Sequence, residues 1–187
     1  MKKIKEYILV LTLSLVLACV LTFILSNSRF VFLNLNTILL STFPIIILFY
    51  RHGFYPAFLV GAIYGIGVGI IVMLFDKGNM LTVAAYSILG ISLSINGLFA
   101  KNIHKTLNNR RMNSVWLNVI TANGIITLII FGLTFFHVHT INVISVVYYG
   151  LTSSMVPMVI AYQKPEWILT KRSPFLSRKE RSKLLND

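Results

Sequence analysis

The 187-residue chain is 56% apolar and only 12% charged, with a mean hydropathy of +0.79. A soluble domain carries about 25% charged residues, so an ordinary water-soluble fold is excluded. Seventeen Lys and Arg against five Asp and Glu give a formal charge of +12, and these charges fall between and after the apolar runs. The single cysteine, Cys19, lies inside the first run, which leaves no intramolecular disulfide and no cysteine cluster for a metal.

A helix needs about 20 apolar residues to cross about 30 Å of hydrocarbon. Uncharged runs of that size predict six spans, at residues 8–25, 32–50, 54–75, 80–100, 114–136 and 140–162, and therefore an all-α membrane protein. The first follows Lys2, Lys3 and Lys5, and Val16-Leu17-Ala18-Cys19 loosely resembles a lipoprotein cleavage site. The length of the run and the bulk of Leu17 favour a retained span. This span carries a short small-residue stripe, Ser14-x-x-x-Ala18. In the second, Asn34 and Asn36 interrupt the start, so residues 27–36 are expected to fold back into the outer membrane as a loop.

The third span has Ala57, Gly61, Gly65 and Gly69 at every fourth position, a smooth ridge for close helix packing within the chain, for sliding, or for contact with another subunit. No acidic or basic side chain lies deep in any span, which argues against a proton pump or an ion-coupled carrier. The polar residues there are neutral: Ser92, Ser94 and Asn96 on the fourth span, Asn118 and Asn123 on the fifth, and Tyr148, Tyr149, Thr152, Ser153 and Ser154 on the sixth. Such residues make interhelical hydrogen bonds or line a cavity. After the sixth span, residues 164–187 form a basic tail with Trp167 as an interfacial anchor and a capping-box pattern at Ser177-x-x-Glu180. It touches lipid or docks to a cytoplasmic partner.

Orientation follows from charge. Fifteen of the seventeen basic residues lie on one face of the six-span layout, and only Arg29 and Lys77 on the other. Both termini are therefore expected in the cytoplasm of a cell whose plasma membrane the chain crosses several times, with anionic lipid rather than nucleic acid facing the basic side. The outer face collects Asn27, Arg29, Asn34, Asn36, Asp76, Asn79, His137, His139 and Asn142, with Tyr86 one or two turns deeper. A small-molecule site is expected there, built from Tyr86, His137, Asn142, Tyr148 and Tyr149. His137 and His139 lack a third ligand at zinc spacing, so no metal is expected. No nucleophile with its base, no carboxylate pair and no phosphate-binding glycine loop occurs, so neither an enzyme nor a cofactor is expected.

Residues 44–65, PIIILFYRHGFYPAFLVGAIYG, followed by residues 86–99, YSILGISLSINGLF, resemble the thiamine-specific substrate-binding subunits of energy-coupling factor (ECF) transporters, the ThiT/YuaJ-type S components. The shared features are a Pro opening the cytoplasmic half of the second span, the turn Arg51-His52-Gly53, a glycine-studded third span, and Gly97-Leu98-Phe99 before a basic loop. The resemblance covers about a third of the chain closely, and chain length and span count agree with it. It implies a membrane domain over residues 1–163 that captures a vitamin from outside. Delivery then runs through a transmembrane coupling subunit and two cytoplasmic ATPases. It further implies that Ser14 and Ala18 meet the coupling subunit and that Tyr86 belongs to the pocket.

The family's Glu-Tyr pair on the fourth span stands here as Ala85-Tyr86. A buried carboxylate is the natural partner of a cationic thiazolium, and its loss costs such a ligand several kcal/mol. The family's external-loop Trp has no Trp counterpart either, Phe32 and Leu35 lying nearest. Two other classes share parts of the pattern: LytS-type membrane sensors, which have a similar glycine-rich pair of spans around a basic turn, and MreD-type cell-envelope scaffold proteins. The short stretch after the last span favours a stand-alone subunit over the sensor.

Overall fold

The computed structural model describes residues 2–26, 40–75, 80–109, 111–134 and 143–169. Among them there are helices and short connections and no strand. In chain order the helices are α1 (Lys2–Ser26), α2 (Phe43–His52), α3 (Phe54–Phe75), α4 (Met80–Leu93), α5 (Ile95–Asn108), α6 (Met112–Thr134) and α7 (Val143–Gln163), followed by a 3-10 turn at Pro165–Trp167. Among the described residues four stretches are long and apolar enough to cross a membrane: Ile4–Phe23, Phe54–Phe75, Met80–Asn108, which joins α4 to α5, and Met112–Leu133.

The second expected span differs. Its described part is a ten-residue helix, about 15 Å long and half the depth of the hydrocarbon. Leu40 is helical and Ser41 and Thr42 form a turn. Pro44, in the first turn of α2, cannot donate to the carbonyl of Leu40 and suits the start of a helix, where its missing N–H has no partner to lose. The expected re-entrant loop lies outside the described residues. α7 has 21 residues, none charged, with Pro157 inside it.

α3 and α4 are antiparallel and unusually close. A methyl group on Gly61 would collide with the carbonyl of Gly90, one on Gly65 would lie 2.5 Å from the carbonyl of Tyr86, and one on Gly69 would lie 2.8 Å from Cα of Val83. The ridge on the third span thus meets the backbone of α4, with Gly90 supplying the flat surface opposite. The same approach continues at the helix ends, where a methyl on Gly97 would come within 2.8 Å of the Gly53 backbone. Gly53 itself turns the chain between α2 and α3 with φ of 88°, a conformation that side-chain-bearing residues avoid.

α1 packs on α2 and α3. Its small residues Ser14 and Ala18, and Thr22 one turn further, are buried at 0%, 0% and 4% exposure, while Leu9, Leu13, Val16 and Val20 are exposed. The stripe, which the resemblance implies meets a coupling subunit, is here packed against the chain's own helices. At the basic end Glu6 ties α1 to α2: its carboxylate lies 3.3 Å from Arg51 and 3.3 Å from His52 Nε2, and the Tyr7 ring stands edge-on to His52. Ile168 and Leu169 are also buried, so the packed body continues past residue 163.

Crowding of this kind is directly testable. Gly61→Ala and Gly90→Ala are expected to lower stability by about 1–3 kcal/mol each through overpacking. Gly124→Ala, where nothing lies within 4 Å of the missing side chain, is expected to be neutral or stabilising. Thermal melting in detergent distinguishes them, and equal behaviour of all three would contradict the close α3–α4 contact.

Candidate functional site

In hydrocarbon a polar side chain needs a partner inside the protein, so the buried polar residues show where the interior does something other than pack. They are Ser14, Thr22, Ser41, Thr42, Thr82, Ser92, Ser94, Asn96, Asn123 and Ser153. Four tyrosines, Tyr50, Tyr64, Tyr86 and Tyr149, are among the largest fully buried side chains. All of these groups are neutral. Among the described residues the interior holds no carboxylate and no cation, and no group of His, Cys, Asp and Glu could hold a metal.

The tyrosines come from four different helices, α2, α3, α4 and α7. Tyr86 on α4 lies within electrostatic reach of Tyr64 on α3, Tyr64 of Tyr149 on α7, and Tyr149 of Tyr50 on α2. The Tyr64 hydroxyl shares a hydrogen bond of 2.5 Å with Ser41. Because Tyr64 is ten residues into α3, about 15 Å from its start, the turn before α2 sits at mid-depth. The Tyr149 hydroxyl faces Thr42 and Ser153 without a well-formed hydrogen bond to either.

Nearer the basic end a second group gathers around Tyr50. Its hydroxyl donates to Asn96 Oδ1 at 2.6 Å. Asn123 Nδ2 lies 3.4 Å from the same hydroxyl and donates to the carbonyls of Val119 at 3.1 Å and Ser153 at 3.2 Å. The last bond has a covalent cause. Pro157 has no N–H to offer the carbonyl four residues earlier, and that carbonyl is Ser153; Asn123 takes the place of the missing donor. Asn96 Nδ2 and Asn123 Oδ1 are left without a hydrogen-bond partner among the described residues.

Two interruptions of helix flank this polar core. One is the Ser41–Thr42 turn, and the other is Ser94, between α4 and α5. At Ser94 the backbone tightens to three-residue bonds, Ser94 N to Ile91 O at 3.0 Å and Gly97 N to Ser94 O at 2.8 Å, and the Ser94 hydroxyl donates to Ile91 O at 2.6 Å. Broken helices beside buried neutral polar groups can supply hydrogen bonds from backbone as well as side chains to a small solute.

Of the residues singled out in the sequence, Tyr86 and Tyr149 are brought into this core. Tyr148 is 58% exposed on the outer side of α7, because successive helical residues point about 100° apart. His137 and Asn142 lie outside the described residues, as do the other outer-face candidates Asn27, Arg29, Asn34, Asn36, Asp76, Asn79 and His139. Asn96, Asn123 and Ser153 join the core. Asn118, Thr152 and Ser154 instead bond to carbonyls of their own helices. Sequence reasoning missed Tyr50, Tyr64, Ser41 and Thr42. Tyr64 lies between Gly61 and Gly65 on the ridge, and that position was the available signal.

The apolar helices and the buried polar core define a membrane-embedded, all-helical protein. Comparison with protein-family models, curated proteins and solved structures gave no match.

The Pro157–Asn123 relation yields a double-mutant test. Asn123→Ala is expected to cost about 1 kcal/mol by leaving the Ser153 carbonyl unpaired. Pro157→Ala, which restores a backbone donor, should recover part of that loss in the double variant. Strictly additive effects in detergent unfolding would mean that the two residues do not share the Ser153 carbonyl.

Proposed function

We propose that this chain is the substrate-binding membrane subunit of an ECF-type transporter. In this reading it captures a small vitamin, thiamine or a related compound, at the outer face and passes it on through a coupling subunit and two cytoplasmic ATPases. The observation that carries the reading is the neutral polar core at mid-depth between two interrupted helices, which contains Tyr86, the residue the family resemblance places in the pocket. The six-span layout combines the four long apolar stretches with the broken second span and with α7. The asymmetry of Lys and Arg supports cytoplasmic termini and a plasma-membrane location.

The core also bears on the ligand. Ala85, which stands where the family has its acid, is buried, and none of the described buried residues offers a negative charge to a thiazolium. A neutral, hydrogen-bonding heteroaromatic ring therefore suits this interior better than a permanent cation.

Thermal-shift titration of the detergent-purified protein with thiamine, its separate pyrimidine and thiazole halves, riboflavin and biotin tests the proposal, because a bound ligand raises the melting point by mass action. The pyrimidine half is expected to bind at least as well as thiamine. Tyr86→Ala should weaken binding about tenfold or more, roughly 1.4 kcal/mol, while Tyr86→Phe retains most of the affinity if the ring stacks on the ligand. Silence across the panel from a folded protein would overturn the reading and turn the search to the partners of a sensor or a scaffold.

A further inference from the structure

α6 and α7 are held together at the core by Asn123 and Ser153, but on their outer side they part to leave a groove of about 670 Å³ lined by Trp116, Gly124, Gly150, Ser154, Met155 and Met158. It continues along Tyr162 and Gln163 as a second hollow of about 370 Å³, sharing Trp116, Met155 and Met158 with the first. The groove is open at Gly124, where nothing lies within 4 Å of the place a side chain would begin. Its hydroxyls are already engaged, Thr127 with Asn123 O at 2.7 Å and Ser154 with Gly150 O at 2.8 Å. What remains is a largely apolar channel, with the Trp116 indole, Tyr162 and Gln163 toward one end.

Its dimensions and its charged end select an occupant. From Val147 to Met158 the larger hollow follows about 16 Å of helix, close to the depth of one leaflet. Its almost wholly apolar lining suits a hydrocarbon chain. The contacts of Asn123 with Ser153 and of Thr127 with Gly150 fix the antiparallel register, and counting along it brings Lys164 level with Met112 and Asn113, next to Arg111 at the start of α6. Both basic side chains are exposed. Lys164 Nζ lies 5.2 Å from the ring centre of Trp167, and Trp116 and Trp167 are both half-exposed, as aromatic side chains at a membrane interface are. Glu166 on the same turn offsets one of the two charges, and Lys171 and Arg172 follow in the sequence.

We infer that the α6–α7 groove is a binding site for an anionic phospholipid, with one acyl chain along Gly124 and Gly150 and the phosphate drawn to Arg111 and Lys164. The protein contains two tryptophans, so Trp167→Phe leaves Trp116, on the groove wall, as the sole fluorophore. In phosphatidylcholine vesicles, quenching of Trp116 by brominated phosphatidylglycerol is expected to exceed that by brominated phosphatidylcholine, with a relative binding constant roughly fivefold higher. Gly124→Leu, at a position where nothing lies within 4 Å of the first side-chain atom, should occupy the groove and reduce quenching by both lipids. Arg111→Gln with Lys164→Gln should remove the preference and leave quenching by phosphatidylcholine unchanged. Equal quenching by the two lipids in the parent protein, or no effect of Gly124→Leu, overturns the site. So does a Trp116 shielded from both lipids, which would mean that a second copy or another protein covers the groove.

Discussion

Pro157 removes one backbone hydrogen bond from α7 at a depth where no water can replace it, and much of the interior follows from that deficit. The freed Ser153 carbonyl is met by Asn123, which fixes the register of α6 against α7. An asparagine has more hydrogen-bonding capacity than one carbonyl uses, and the same amide reaches the Tyr50 hydroxyl, which in turn donates to Asn96. A single imino acid thus links α7, α6, α2 and α5 through neutral polar groups. Each bond is modest, about 0.6 kcal/mol on average in membrane proteins. Together they specify which helix faces which, where purely apolar surfaces would allow many arrangements.

Hydrogen bonds of this reach require the helices to be close, and glycine provides the closeness. With Gly61 and Gly65 of α3 against Gly90 and the Tyr86 backbone of α4, no side chains separate the two backbones. The large side chains beside these glycines are displaced sideways: Tyr64 and Tyr86 both turn into the interior. The tyrosine layer and the glycine ridge are therefore two consequences of one packing arrangement. Tyrosine suits the position because its ring fills apolar volume while its hydroxyl finds Ser41.

The sequence makes some of this legible and hides the rest for physical reasons. A repeat of small residues every fourth position is visible at Ala57, Gly61, Gly65 and Gly69, and the structure places that face against α4. The stripe at Ser14 and Ala18 is equally visible, but periodicity shows only that one face is smooth, and the structure turns it to α2 and α3 rather than to an outside surface. Tyr148 and Tyr149 read as a pair, yet adjacent helical residues cannot share a face. The shortness of the second helix was signalled by Pro44 beside Ser41 and Thr42, a cluster that reads as part of an apolar run when only hydropathy is weighed. Tyr50 was the least accessible, since its partners, Asn96 and Asn123, lie 46 and 73 residues away.

If the polar core receives a solute, as proposed above, its neutrality constrains which solute that is. The charged residues with described partners are at the basic end, where Glu6 meets Arg51 and His52 near water and screening weakens such pairs. Deeper in, the available groups are phenol and hydroxyl oxygens, amides and the carbonyls exposed where helices break. These satisfy a solute that both donates and accepts hydrogen bonds, and they discriminate strongly against one that lacks such groups, because buried polar atoms such as Asn96 Nδ2 and Asn123 Oδ1 would stay unpaired. They offer little to a bare cation, whose desolvation they cannot offset. The same economy that lets four tyrosines sit in hydrocarbon without a counter-ion would, in the proposed reading, favour an uncharged ring over a charged one.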